Sequence, residues 1–308
     1  MDTITIPCAP PVPCPVCGSE FRFHRKLYDK RGFTLRRCTS CHLELINPRP
    51  TIEWIQERYQ FLSDNYFLHS SKVASDFRAH RFDIELSLLG SANGKLLDVG
   101  CADGAFVVAA QQHGFRAGGI DIMKSAIEFG QAETGMDLEC GDFTDGHLPA
   151  ESLDVVTMWA TLEHLDQPGA FLSEAYRVLR PGGLLALSVP NIVGLTHKLL
   201  GRRDRYVSVE HLNYFTPTVL LTLLRNHGFI VEAWITRKFN PKTLIQDLLG
   251  AGAHERLPEE LMADQIRTDV IKMSHALGWL RFAHSYVERG LGRVGLADCQ
   301  WATARKPR

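Results

Sequence analysis

Residues 95–104 read Lys-Leu-Leu-Asp-Val-Gly-Cys-Ala-Asp-Gly. Leu96, Leu97 and Val99 make the short apolar run expected of a parallel strand buried on both faces. Gly100, Ala102 and Gly104 follow, small enough to let a backbone approach a ligand closely. Ala105–Gln112 then begins a helix. Strand, tight small-residue turn and helix together make a nucleotide site, with the ligand over the helix N-terminus. A dinucleotide fingerprint needs glycine at the first, third and sixth loop positions. Counted from Gly100, the third is Ala102 and the sixth Ala105, so that reading fails.

Downstream, strand and helix patterns alternate. Arg116–Ile120 is a second strand ending in Asp121, and Lys124–Glu133 is a helix. Met136–Glu139 is a short third strand leading to Gly141, Asp142 and Phe143. Leu153–Trp159 is a fourth, Pro168–Leu179 a helix, and Leu184–Val189 a fifth strand after Arg180-Pro-Gly-Gly183. Gly228–Thr236 is a sixth. Strands alternating with helices of this length predict βαβ units and a parallel sheet. Three successive strand ends present an acid: Asp98, Asp121 and Asp142. Asp121 lies about 20 residues past the loop, where an acid reaches ribose hydroxyls.

This constellation resembles the class I S-adenosylmethionine (SAM) methyltransferases, densely over Lys95–Pro190 and more loosely to the C-terminus. It is close to the subgroup of ubiquinone-pathway O-methyltransferases and sugar or natural-product methyltransferases. The resemblance implies an α/β fold: a seven-stranded, doubly wound, Rossmann-like methyltransferase sheet, with Leu296–Arg305 as an antiparallel seventh strand. It also implies SAM as cofactor, bound by Asp98, Gly100, Ala102, Gly104, Asp121, Ile122, Asp142, Phe143 and Trp159. In that family the residue at Asp142 accepts from the adenine amino group, and the next residue, here Phe143, packs on the ring. Ala102 departs from the family's glycine and tightens the loop.

Upstream, Cys14 and Cys17 form one Cys-x-x-Cys knuckle and Cys38 and Cys41 a second, with twenty residues between. That spacing predicts a tetrahedral zinc site, and four thiolates leave no open position, so the zinc is structural. Phe21–Lys26 and Gly32–Arg37 read as strands of the ribbon. Several subgroup members carry such a ribbon. Arg22, Arg25, Lys26, Lys30, Arg31, Arg36 and Arg37 make the module basic. A solvated face is favoured over a nucleic-acid surface, because aromatics are not interleaved for base stacking. The whole chain of 308 residues carries a formal net charge of −1, which supplies no field for RNA or an anionic membrane. No signal peptide or membrane span is read, and the expected location is cytoplasmic.

The expected organisation is therefore a zinc ribbon at 1–50, a helical connector at 51–94 and the methyltransferase domain at 95–308, with a helical insertion at about 241–290. Connector helices are expected at Ile52–Tyr59, capped by Thr51, and at about Lys72–Leu89, with Tyr59 and Tyr66 near the pocket. The insertion's apolar stripe, Trp279, Leu280, Phe282 and Val287, suits core packing, a lid or a homodimer surface.

Methyl transfer to a hydroxyl needs alignment and removal of a proton. Glu163-His164 follows the fourth strand, and in the resembled subgroup this pair faces the substrate. His164 titrates in the right range for a general base, while Glu163 orients it or binds a metal. Glu210-His211 gives a second base candidate. The fourth strand lacks the Asn-Pro-Pro-Tyr-like run of enzymes that methylate base nitrogens. The expected partner is thus a small-molecule substrate methylated at a hydroxyl oxygen. The alternatives are an RNA methyltransferase using the basic ribbon, or a sugar C-methyltransferase.

Overall fold

The computed structural model describes residues 6–55, 57, 58, 80–90, 93–248 and 278–308. The connector region of Tyr59 and Tyr66, and the central part of the insertion, lie outside these residues, as do the side chains of Trp279, Leu280 and Phe282.

The four strand-forming runs after residue 95 become β4 (Lys95–Val99), β5 (Arg116–Asp121), β6 (Leu138–Cys140) and β7 (Leu153–Trp159), followed by β8 (Leu179–Pro190). They pair in parallel, and β10 (Ile230–Arg237) and β11 (Cys299–Arg305) complete a seven-stranded sheet ordered β10-β11-β8-β7-β4-β5-β6. β11 lies antiparallel between β8 and β10, so the expected C-terminal seventh strand is present. The Arg180–Gly183 segment reads as a turn in sequence but is absorbed into the start of β8, with a register irregularity opposite Leu153 and Val155.

Successive residues of the central strands alternate between two cores, as a pleated strand requires. Val156, Met158, Leu185 and Leu187 face α4 (Pro168–Val178) and α6 (Pro217–Asn226). Val155, Leu184 and Ala186 face the other way, onto a core shared with α1 (Asp83–Leu89), α2 (Ala105–Gln112) and α3 (Lys124–Thr134). Burial on both faces is why these strands read as continuous apolar runs.

Trp301, fully buried on β11, closes the antiparallel side, and its indole nitrogen donates to Glu85 Oε1 at 3.2 Å. We expect Trp301→Ala to lose about 4 kcal/mol of unfolding free energy, measurable by denaturant titration, because removing a large buried ring leaves a cavity and takes the indole donor from Glu85. In the insertion, α7 (Pro241–Leu248) and α8 (Gly278–Arg293) are helical, with α5 (Leu195–Leu200) preceding them after β8. Among the described residues, no helix is long and apolar enough to cross a membrane.

The ribbon is β1 (His24–Lys30), β2 (Phe33–Cys38) and β3 (Glu44–Ile46), antiparallel throughout. Its first strand starts later than the sequence pattern predicts, because Phe21–Phe23 forms a 3-10 turn, and a bulge falls between Lys26 and Tyr28. The four cysteine sulfurs converge, with Cys14 and Cys41 Sγ 3.5 Å apart and Cys17 and Cys38 Sγ 3.6 Å apart. Sulfurs about 2.3 Å from one tetrahedral zinc lie roughly 3.8 Å from each other, so the donor set fits the metal. His24, beside the knuckles, pairs its Nδ1 with Asn47 Nδ2 at 2.9 Å.

Most of the basic residues are spent on internal contacts. Arg22 pairs with Glu20, Lys26 with Asp29 and Arg37 with Glu44. Arg36 donates to the carbonyls of Asn47 and His24. The ribbon's sheet also has a fourth strand that no local pattern announces. β9 (Asn213–Tyr214), two residues beyond His211, pairs antiparallel with β3.

Candidate active site

A cleft of about 330 Å³ opens over the C-terminal ends of β4, β5 and β7, marked by Val99, Asp121 and Trp159. This is where an open parallel sheet binds its ligand. The loop beneath it is built of left-handed residues: φ is +77° at Gly100, +48° at Ala102 and +75° at Gly104. A Cβ on Gly100 would stand 2.6 Å from Thr161 Oγ1, so glycine is required there by both conformation and space. Ala102 adopts the same handedness with a methyl group, and its N–H is tied to Asp121 Oδ2 at 2.9 Å. Asp121 Oδ1 accepts from Met123 N–H at 2.8 Å. The carboxylate thus pins both loops of the cleft, and each oxygen keeps a second lone pair for a ligand hydroxyl. Burial raises the Asp121 pKa, against the lowering effect of these amides.

The sequence-predicted cofactor residues separate into two groups. Gly100, Ala102, Asp121, Ile122, Phe143 and Trp159 line the cleft. Ile122 is 61% exposed, an apolar side chain held open beside the cleft. Phe143 is buried against Phe171, their rings 6.0 Å apart, so it forms a wall rather than a projecting platform. Trp159 stands edge-on to Phe106, and its buried indole N–H has no hydrogen-bond partner among the described residues.

The other three predicted positions lie away from the lining. Asp98 is buried beneath the loop and accepts from Thr157 Oγ1 at 2.6 Å; burial raises its pKa to about 8. Gly104 packs on Leu138 at the head of α2. Asp142 caps a short 3-10 turn, Phe143–Asp145, its Oδ1 accepting from both the N–H and the hydroxyl of Thr144. Sequence spacing places Asp98 and Asp142 near strand ends and Gly104 at a helix start, but cannot say which way each is drawn by its neighbours.

The catalytic candidates do come together. Glu163 and His164 sit on a 3-10 turn, Leu162–His164, just past β7, and His164 lines the cleft. His211 arrives from the segment before β9, its ring 4.7 Å from that of His164 and perpendicular to it. His164 Nδ1 donates to the Glu210 carbonyl at 2.9 Å and His211 Nδ1 to the Tyr206 carbonyl at 2.8 Å. A carbonyl only accepts, so each neutral ring keeps its lone pair on Nε2. Glu163 is 1% exposed, neither carboxylate oxygen has a hydrogen bond among the described residues, and Oε1 lies 4.0 Å from His164 Nε2. Burial raises Glu163 to about 8. Burial and then the neighbouring His211 lower His164 to about 3, and burial lowers His211 to about 4. The ligand atoms of Glu163, His164 and His211 all lie within 4.8 Å of one another, which suits either a shared proton or a cation.

A depressed histidine has a definite linkage. His211 in the unfolded chain titrates near about 6.5. Between that pH and about 4 the unfolded chain binds more protons, so acid removes stability that is fully present at neutral pH. We expect His211→Gln to lose about 1–2 kcal/mol less than the unsubstituted protein on going from about pH 7 to about pH 4.5, in paired denaturant titrations. The raised carboxyls of Asp98 and Glu163 act in the opposite sense and are common to both proteins.

Sequence reading missed Thr161, Met123 and Phe171 in the lining and, outside it, Arg49 and Asn213. Arg49 carried one local sign, its place between Pro48 and Pro50, which fixes the backbone around it. His197, on α5, pairs with Asp204 at 3.2 Å, away from the cleft.

Comparison with known proteins agrees with this geometry. A family model described as a methyltransferase domain matches residues 71–233. A ubiquinone biosynthesis O-methyltransferase of Pseudomonas entomophila is 34% identical over 183 residues, covering 54% of this chain and 76% of that protein. A probable S-adenosylmethionine-dependent methyltransferase of Mycolicibacterium smegmatis is 29% identical over 170 residues, covering 55% of this chain but only 61%, less than two thirds, of its own length. The crystal structure of a SAM-dependent methyltransferase from Archaeoglobus fulgidus aligns with 80% of this chain and 100% of its own, with a TM-score of 0.51 and 20% identity, a likeness of fold.

Proposed function

The chain belongs to the SAM-dependent methyltransferase family, and from that premise we propose that it methylates a hydroxyl oxygen of a small-molecule acceptor, with His164 taking the proton. One observation carries the reading. Among the described residues that line the cleft, the titratable ones are Asp121 and His164. Asp121 already braces the loop where a ribose would sit, which leaves His164 to serve the acceptor.

SAM supplies an activated methyl group on a positively charged sulfur, which becomes a neutral thioether when the methyl leaves. The chain's own residues must then bind, orient and manage one proton. Asp121 and Ile122 would hold the nucleoside, and Trp159 Nε1 offers a donor to a ligand that reaches it. The acceptor's oxygen forms the bond to the methyl carbon and its proton passes to His164 Nε2. The site's net charge is unchanged, since an imidazolium replaces the lost sulfonium. Buried Glu163, 4.0 Å from that nitrogen, is placed to stabilise the imidazolium once ionised. A nearby cation before the step favours that ionisation.

The experiment is incubation with methyl-labelled SAM and separate panels of dihydroxybenzoates, nucleotide sugars and RNA. The reading expects label on oxygen of a small molecule. Label on RNA alone, or on carbon, would replace it.

A second reading of the same cluster is favoured by the three acceptors that face one another there. A divalent cation held by Glu163, His164 and His211 would lower the acceptor hydroxyl's pKa and do the base's work by ionisation. Backbone carbonyls that fix each ring's tautomer are what such sites use. Metal counting on the purified protein separates the two readings: zinc in the ribbon alone, or a second ion lost in His211→Gln.

A further inference from the structure

The proposed function leaves the ribbon without a task. Three contacts tie it to the two segments that carry the histidines. On β1, the half-buried Lys30 amine donates to the carbonyls of Asp204 at 2.7 Å and Val207 at 2.5 Å, gripping the loop that leads to His211. On β3, Leu45 pairs with Asn213 and Glu44 with Tyr214, and Ile46 N–H donates to the Leu212 carbonyl at 3.0 Å. Just past the ribbon, Arg49 is 3% exposed, a charge taken out of water. Its Nη1 donates to the Asp166 carbonyl at 2.9 Å and to Asp166 Oδ1 at 2.5 Å, and its Nη2 to Asn213 Oδ1 at 3.0 Å. Asn213, fully buried, returns a bond from Nδ2 to the Leu165 carbonyl at 2.7 Å.

The spacing matters. Asp166 is two residues past His164, and Asn213 is two residues past His211. One planar guanidinium therefore bridges the matching position after each histidine, which a single ammonium could not do with the same fork. The clamp is itself held. Ala9 N–H donates to the Arg49 carbonyl at 2.9 Å, Thr51 N–H to the Pro7 carbonyl at 2.9 Å, and the cysteine knuckles close the ribbon behind it.

We propose that Arg49 and Asn213 are positioning residues, and that the ribbon serves the reaction by docking β3 and Arg49 onto the 164–166 and 211–213 segments so that the two imidazoles meet. The inference rests on the histidine reading above for its catalytic meaning, but its test needs no acceptor. The SAM side of the cleft, Gly100 to Met123, is pinned separately, by the Asp121 carboxylate on the Ala102 and Met123 amides. The two halves should come apart independently.

Amide hydrogen exchange on the full-length, zinc-loaded protein tests this, with Arg49→Met and Asn213→Leu compared with Lys26→Ala, a surface pair on the ribbon's edge strand. We expect exchange in residues 162–167 and 206–215 to speed up by about tenfold or more in both clamp variants. Exchange in 98–123, and the dissociation constant of SAM by calorimetry, should stay within about threefold. Lys26→Ala should match the unsubstituted protein. Once an acceptor is known, kcat should fall in the clamp variants while KM for SAM holds. Unchanged exchange in both histidine segments overturns the proposal, and so does acceleration spread evenly over the chain with loss of SAM binding, which would make the clamp part of general stability. If Arg49→Met fails to fold, Asn213→Leu carries the decision alone, since it keeps the charge and removes the bridge. An enzyme that proves to use no histidine would leave the exchange result standing and remove only its catalytic meaning.

Discussion

Asp121→Ala is expected to raise the dissociation constant for SAM by at least about a hundredfold, read by isothermal titration. Two losses combine. The carboxylate is the group we propose to take the ribose hydroxyls, and hydrogen bonds to a charged acceptor are worth about 1.5–3 kcal/mol each. The same carboxylate accepts from Ala102 N–H and Met123 N–H, so its removal also frees the loop that it braces. Ala102, held at a φ of +48° with a Cβ, is the residue that would relax first. Asp121→Asn keeps one acceptor oxygen and should fall between the two. An alanine variant that binds SAM as tightly as the unsubstituted protein would remove the cleft from the argument altogether.

His164→Ala is expected to lower kcat by about 10²–10⁴ while SAM affinity changes by less than about threefold. His164 reaches the cleft, whereas His211 and Glu163 stand behind it. Burial and His211 keep the ring neutral at physiological pH, so it is always ready to receive a proton. That same environment makes it a weak base at rest. The base gains strength only when Glu163 is ionised beside it, so the rate should follow the carboxyl's ionisation and rise with pH toward about 8. Steady-state rates across pH, set against single-turnover rates to remove product release, measure this. A pH-independent rate in the unsubstituted enzyme, with little loss in His164→Ala, would show that alignment alone carries the reaction.

Much of this protein is readable along the chain because its signals are local. The strand-turn-helix at Lys95–Gln112 is fixed by apolar residues in a row, then small residues where the backbone turns left-handed, and that is enough to name a nucleotide site. Cys14, Cys17, Cys38 and Cys41 are equally plain, since two tight knuckles at metal-ligand spacing have few other uses. Asp121 is legible because a parallel strand must end at the cleft and its last residue points there. Asp98, one residue before the end of β4, and Asp142, two past the end of β6, come close to the same rule and are drawn elsewhere, to Thr157 and Thr144, by partners that the rule does not see.

The sequence alone therefore determined the sheet, the small-residue loop under the cleft, the paired cysteine knuckles and the Glu-His pairs, all set by periodicity and spacing over short stretches. Tertiary structure decided what those pieces are to each other. The rings of residues 164 and 211 meet, Asn213 adds a strand to a ribbon some 170 positions away, and Arg49 joins the two segments across 117 and 164 positions of sequence. Such contacts leave no periodic trace, because a single buried guanidinium needs only that its acceptors arrive together, and where they come from in the chain is immaterial to the hydrogen bonds it makes.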